Sequence, residues 1–314
     1  RPDFFPGRRI KNQYRAGCMS NYKLVKKEVL KLECSVPLKG MFKLSPFVWK
    51  ENDLYRMLVR AVNPSDDPTQ KVARIFYGES KDGLNFKMDD GPVIAPGIAT
   101  ISKDGVEDPT VVKTPYGYLV YYTGWNLTEQ RGELLLSKGE TIHSLEYTGE
   151  ALISQENYRN PKEATVAQLK NKRWALFFEF ARDGRSKLGK ATSDAAEGPW
   201  NIDEEFIKAR QNSWDSYHLS TGPMLQDSKN ETVMFYNGAN ADAHWRIGWV
   251  TMDDNGHVKQ RCQDPLIIPP PNKDGNVDIA FAASAILQDN SMIWLYYSCE
   301  DTEPLRALIE ILDD

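Results

Sequence analysis

Histidine and cysteine are scarce in this chain of 314 residues, with 4 of each. Cys18, Cys34, Cys262 and Cys299 share no C-x-x-C spacing, and no histidine pair stands at a metal-binding interval. No metal and no cofactor is therefore expected. The cysteines read as free, buried thiols. No stretch approaches the roughly 20 apolar residues of a membrane span. Positive charge is not in surplus either: a net charge of −5 disfavours nucleic acid and suits a neutral or small polar partner. Helix-period patterning is nearly absent, and Asp203–Arg210 is the one short helix the pattern offers. Linkers and low-complexity segments are lacking too, so residues 1–314 read as a single domain. The compartment stays open between cytoplasm, periplasm and exterior, because the first residue is Arg1 rather than methionine. A homo-oligomer is also left open.

Aromatic residues, by contrast, are plentiful and periodic. Aromatic-rich runs read as buried strands at Leu54–Val62, Gly117–Trp125, Arg173–Phe180, Thr232–Gly238 and Met292–Cys299. They recur about every 60 residues, the signature of propeller blades. A shorter apolar run precedes each. A third run follows, opening on Arg74, Arg131, Lys187, Arg246 or Arg306. Turn signals such as Asp82-Gly83, Asp183-Gly184, Asn255-Gly256 and Asp274-Gly275 separate the runs. The expected fold is all-β, a five-bladed β-propeller. Its blades cover 41–98, 99–155, 156–211, 212–274 and 275–314. The segment Lys23–Cys34 has no blade of its own and is expected to supply the outer strand of the last one, so that no edge is left open.

The period also fixes a register. The starts of the first strands fall at Ser45, Asp108, Glu163, Gly222 and Ala283. In a propeller these positions cluster around one mouth of the central channel. Two carboxylates therefore occupy equivalent places in neighbouring blades, and Glu179 lies one strand outward from Glu163. A carboxylate within apolar strands is costly unless paired or used. Each acid has a structural alternative: Asp108 as a backbone cap, Glu163 paired with Lys162 at the rim, Glu179 in an internal ion pair. The repeated basic residues are read as structural, and His218 and His244 as core or rim.

Carboxylates across a polar, aromatic-lined cleft suit glycosidic bond cleavage. One protonates the leaving oxygen and another activates water, across a gap of roughly 6.5–9.5 Å when the reaction inverts. At this point the residues resemble a known family. Gly105-Val-Glu-Asp-Pro109 resembles the G-V-E-D-P motif of glycoside hydrolase family 130, the five-bladed mannoside phosphorylases and mannosidases. Val59–Val62 with Ser80–Phe86 is similar to that family's first blade, Trp245-Arg-Ile-Gly248 to its Y-R-x-G segment, and Leu295–Tyr297 to its last blade. Ala191–Trp200 is shared more widely with five-bladed arabinofuranosidases and xylosidases.

The resemblance implies that Asp108 is the catalytic acid, and that phosphorylases of the family use phosphate as nucleophile. Arg131 and Lys162 stand where the family places phosphate-holding cations. Asn237 replaces a histidine, Trp245 a tyrosine, and Glu179 appears where phosphorylases carry arginine. A carboxylate there repels a phosphate dianion, and is also what a water-activating base would be. The expectation is an inverting glycoside hydrolase acting on β-mannosides or related oligosaccharides. Asp108 is the acid, Glu179 the base, Glu163 the second choice for base and Asp215 the third. Arg60, Arg131, Lys162, Asn237, Trp245, Arg246, Trp125 and Asp215 are expected to bind substrate. Tyr122, Trp125 or Trp245 would supply an aromatic wall. A phosphorylase, a non-catalytic carbohydrate-binding propeller and another five-bladed glycosidase are the alternatives.

Overall fold

A computed structural model describes residues 21–271, 278–288 and 291–313. Cys18 and the Asp274-Gly275 turn lie outside them. Among the described residues the protein is all-β, apart from four 3-10 turns of three residues each.

Two short strands come first, β1 (Tyr22–Val29) and β2 (Lys31–Glu33). The first sheet holds β3 (Phe42–Glu51), β4 (Leu54–Val62), β5 (Ala73–Ser80) and β6 (Asn85–Ile94), with β2 added parallel to β6. The second is an antiparallel meander of β7 (Gly105–Thr114), β8 (Gly117–Asn126), β9 (Arg131–Gly139) and β10 (Glu146–Leu152). The third repeats it with β11 (Arg159–Gln168), β12 (Trp174–Arg182), β13 (Arg185–Ser193) and β14 (Asn201–Ile207). The fourth region runs through β15 (His218–Ser220), β16 (Met224–Gln226), β17 (Thr232–Met234), β18 (Asn237–Ala239), β19 (Trp245–Ile247), β20 (Val250–Met252) and β21 (Val258–Arg261). It divides into two small sheets, β15-β18-β19 and β16-β17-β20-β21. The last sheet is β22 (Ala280–Leu287), β23 (Met292–Cys299), β24 (Glu303–Ile311) and β1.

The aromatic runs are the second strands of these sheets. In β12, Phe177, Phe178 and Phe180 are fully buried although they point to both faces, so this strand is covered on both sides. That is why it reads as a continuous apolar run rather than an alternating one.

Successive sheets are tied by hydrogen bonds near their first strands. Ser45 Oγ donates to Asp108 Oδ1 at 2.6 Å, and Thr110 Oγ1 to the Ala164 carbonyl at 2.5 Å. Thr165 Oγ1 donates to the Gly222 carbonyl at 2.8 Å, and the Ala282 amide to Asn237 Oδ1 at 2.7 Å. Ser284 Oγ then donates to the Pro46 carbonyl at 2.9 Å and accepts from the Val48 amide at 2.7 Å, joining the last sheet to the first. The bonds form a closed circuit.

Two expectations are corrected. Asp203–Arg210 is not helical: its first part belongs to β14, where Ala191 pairs with Ile202 and Gly189 with Glu205. The exposed edge of β13 satisfies this backbone better than an isolated turn of helix would. Lys23–Cys34 is not a single strand. Its first part pairs antiparallel with β24, then the chain crosses at Leu30 and β2 joins β6. The Leu30 amide bonds the Pro304 carbonyl at 3.0 Å and the Lys31 amide the Leu84 carbonyl at 2.9 Å, so the segment fastens the last sheet to the first.

Candidate active site

Ser45, Asp108 and Glu163 sit at φ of +51°, +51° and +52°. Each lies in a break of register, at Leu44/Phe47, Glu107/Thr110 and Lys162/Thr165. The left-handed region is unfavourable for residues with a side chain, and bulges of this kind re-aim side chains next to active sites. Here the bulge recurs in three consecutive sheets and turns the three polar side chains toward one another.

Asp108 is 4% exposed. Its Oδ1 accepts from Ser45 Oγ at 2.6 Å and from Arg60 Nη1 at 3.2 Å, and its carboxyl neighbours that of Glu163. Burial raises the Asp108 pKa, but Arg60 and the Ser45 hydroxyl outweigh it and leave it below the usual carboxylate value. Glu163 goes the other way. Burial, then the charge of Asp108, push its carboxyl well above the usual value. The opposite shifts of these two neighbouring carboxyl groups favour Glu163 as the holder of a proton they share. Glu107 is raised by burial and held by Arg60 Nη2 at 3.0 Å.

Glu179, 4% exposed, comes from β12. Its Oε1 accepts from Ser186 Oγ at 2.6 Å and forms an ion pair with Lys162 Nζ at 3.3 Å. Glu179 is the largest influence keeping Lys162 charged, with Asp108 and Glu107 adding to it. Lys162 thus stands between the Asp108–Glu163 pair and Glu179.

These side chains line or underlie one cavity of about 180 Å3. Arg60, Lys162, Glu163 and Glu179 face it, with Ser45, Ser186, Trp245, Phe281 and Asp301. Trp245 forms the aromatic wall. It stacks on His218 at 5.8 Å and meets Phe281 edge-on at 5.2 Å.

Other expected residues stand apart from this cavity. Asp215 is fully buried, and its carboxylate accepts from Arg210 Nε at 3.0 Å, from Tyr236 Oη at 2.6 Å and from Arg261. It is a structural ion cluster with no oxygen left for water. Asn237 is fully buried too. Its amide donates to the Thr221 and Ala282 carbonyls at 2.6 and 3.3 Å and accepts from the Ala282 amide, which clamps β18 to β22. Arg246 is held by Asp278 at 2.7 Å, and Arg131 is paired with Glu133. Arg131 and Trp125 lie at the β8–β9 turn outside the lining, and Tyr122 is core, bonded to Ser137 at 3.0 Å. Lys187 and Arg306 likewise pair with Glu205 and Glu28, in keeping with a structural role for the repeated cations.

Ser186 and Asp301 line the cavity without belonging to any motif or register position of the sequence. Ser186 is the residue before the basic opening of the third run, where strand alternation turns it to the opposite face from Lys187. Asp301 follows the last aromatic run, at φ +51°, and its carboxyl is raised by burial. Nothing in the local sequence distinguishes it from an ordinary turn aspartate.

Comparison with known proteins fits this arrangement. The family model described as beta-1,4-mannooligosaccharide phosphorylase, glycoside hydrolase family 130, matches residues 45–311. The chain belongs to glycoside hydrolase family 130. A 1,2-beta-oligomannan phosphorylase of Thermoanaerobacter sp. (strain X514) is 25% identical over 272 residues, which cover 84% of this chain and 88% of the relative. The beta-1,2-mannobiose phosphorylase of Listeria innocua, solved with beta-1,2-mannobiose, superposes with a TM-score of 0.74 at 18% identity, over 95% of this chain and 93% of that one. A structure from work on glycoside hydrolases of the family that target beta-1,2 mannosidic linkages in Candida mannan superposes with a TM-score of 0.71 at 19% identity, over 85% and 84%. Among the described residues no helix is long and apolar enough to cross a membrane, and no group of acidic, histidine or cysteine side chains is arranged to hold a metal ion.

Proposed function

We propose that the protein is a single-domain, five-bladed propeller that cleaves β-mannosidic bonds in oligosaccharides, with water as the acceptor. The closed circuit of hydrogen bonds from Ser45 round to Ser284 supports the propeller, the divided fourth region being one blade split into an inner and an outer part. Family membership and the named relatives support the mannoside.

The acid is the Asp108–Glu163 pair. Asp108 is ionised and fixed by Ser45 and Arg60, while Glu163 holds the proton the leaving oxygen needs. Glu179 is the base that takes a proton from water. Ser186 and Lys162 orient it. Trp245 and Phe281 give the sugar an apolar face to lie on, and Arg60 and Asp301 offer hydroxyl partners.

One observation carries the choice of water. Arg60 and Lys162, the cations in the cavity, are already paired with Asp108, Glu107 and Glu179, and Arg131 is engaged with Glu133 outside it. A phosphate dianion entering here would meet more carboxyl groups than free cations. The competing reading, phosphorolysis, is favoured by the sequence relatives, which are phosphorylases. Incubation with β-mannobiose, with and without inorganic phosphate, tests the choice. The expected result is free mannose at the same rate in both. Phosphate-dependent formation of mannose 1-phosphate would establish phosphorolysis instead.

A further inference from the structure

A second cavity, of about 300 Å3, adjoins the first and shares Ser186 with it. It lies between the start of β13, the end of β14 and β15, and is lined by Arg185, Lys187, Glu205, Lys208 and Tyr217. Basic side chains outnumber acidic ones in this lining. Glu205, the one carboxylate of the lining among the described residues, is already satisfied by Arg182 at 2.6 Å and Lys187 at 3.4 Å. Arg185 and Lys208 form no ion pair among the described residues. Arg185 is instead held over the Tyr217 ring at 4.3 Å, an arrangement that orients a guanidinium without neutralising it. In a chain of net charge −5 this local excess of cations is unusual.

The two cavities are joined by a continuous wall of rings. Trp245 in the catalytic cavity stacks on His218 at 5.8 Å, His218 meets Tyr217 edge-on at 4.7 Å, and Tyr217 carries Arg185. Burial lowers the His218 pKa, and its Nδ1 accepts from the Ser186 amide at 3.1 Å, so the wall is a neutral surface. A sugar chain lying on it leads from the cleavage site into the basic cavity.

We infer that this cavity binds an anionic group, a phosphomonoester, carried by the oligosaccharide substrate on a sugar next to the one being cleaved. The inference rests on the proposed mannoside cleavage for the substrate's sugar, but the binding of the anion does not. Planar guanidinium and mobile ammonium donors on one rim match a phosphate's several oxygens, and two unneutralised cations match its two charges. The group touches no reacting atom, so it acts on affinity rather than on bond breaking.

The test compares β-mannobiose with β-mannobiose 6-phosphate as substrates of the wild type and of Arg185→Ala/Lys208→Ala. Both residues are exposed and outside the catalytic cavity, so the fold tolerates their loss. The wild type is expected to favour the phosphorylated sugar by about tenfold or more in kcat/KM, mostly through KM, as charge-assisted hydrogen bonds allow. The double variant should lose that preference, keep its rate on the neutral sugar within about twofold, and added salt should weaken the preference in the wild type. Equal kcat/KM values for the two sugars in the wild type would overturn the inference. So would a double variant slowed equally on both. Inorganic phosphate forms the other arm. If it accelerates cleavage of the neutral sugar and the double variant abolishes the effect, the cavity holds a phosphate co-substrate rather than a substituent. If neither sugar is cleaved, the proposed function fails. Calorimetric titration of β-mannobiose 6-phosphate, tight in the wild type and about tenfold weaker in the variant, then still decides whether the anion site exists.

Discussion

The Asp108–Glu163 pair joins two opposite demands on one proton. Asp108 is kept ionised by Arg60 and Ser45, so it cannot itself be the donor at neutral pH. Glu163 is the proposed donor, because burial and the adjacent charge push its carboxyl well above the usual value. Asp108→Asn and Glu163→Gln should each lower turnover by about 10²-fold or more, with the double variant little worse than either. The pH profile separates a proton donor from a structural residue. Activity should fall as pH rises through the raised Glu163 value. The same group affects stability. The folded state holds the Glu163 proton above the pH at which the unfolded chain releases it, so its stabilisation is complete at low pH and is lost as pH rises through the folded pKa. Thermal melts should therefore show Glu163→Gln gaining on the wild type as pH is raised. A constant difference in Tm across pH would contradict the assignment.

Glu179 belongs to the same scale. Glu179→Gln keeps the volume and the bond from Ser186, so the fold should survive while hydrolysis falls by about 10²-fold or more. Azide, a nucleophile that needs no deprotonation, should restore part of the cleavage and yield an azide of inverted configuration. Unchanged hydrolysis in this variant would return Glu179 to the role of an ion-pair partner for Lys162.

At the scale of the strand, the sequence was readable wherever one residue type recurred at the period. The aromatic runs coincide with β4, β8, β12 and β23, and register counting reached Ser45, Asp108 and Glu163. What counting missed is the left-handed bulge that aims them, because no glycine or asparagine marks it. The split of the fourth region into β17 and β18 at Phe235–Tyr236 was equally hidden, since Val233–Tyr236 is an unbroken apolar stretch. Asn237 and Asp215 illustrate the opposite error. Motif position suggested ligand contact, yet both are saturated by partners distant in sequence: Ala282 for Asn237, and Arg261 for Asp215. A buried polar group needs its hydrogen bonds whatever its motif, and those partners cannot be read locally.

For the molecule as a whole, the question is what holds the first and last sheets together. Hydrogen bonds from Ser284 to the Pro46 and Val48 backbones do so on the inside. On the outside β1 covers the edge of β24, which would otherwise be a template for aggregation. Tyr22 anchors this strand to the fourth region rather than to its own sheet. It is 2% exposed, meets Phe235 and Trp249 edge-on at 5.6 and 5.2 Å, and donates to Asp227 at 2.7 Å. Burial and the Asp227 carboxylate raise the phenol far above its ordinary value, which keeps it a donor. Tyr22→Phe removes the hydroxyl alone. Asp227 keeps the amides of Lys229 and Glu231, both at 2.9 Å, so the cost should be about 1 kcal/mol. Tyr22→Ala removes the ring and leaves a cavity between the last two units, at a cost of about 3–5 kcal/mol. Urea unfolding measures both. If β1 closes the molecule, Tyr22→Ala should also free the β24 edge and bring on aggregation below the unfolding midpoint, with Tyr22→Phe remaining monodisperse. A Tyr22→Ala variant as stable as the wild type would mean that the inner hydrogen bonds suffice, and that β1 merely lies on a molecule already closed.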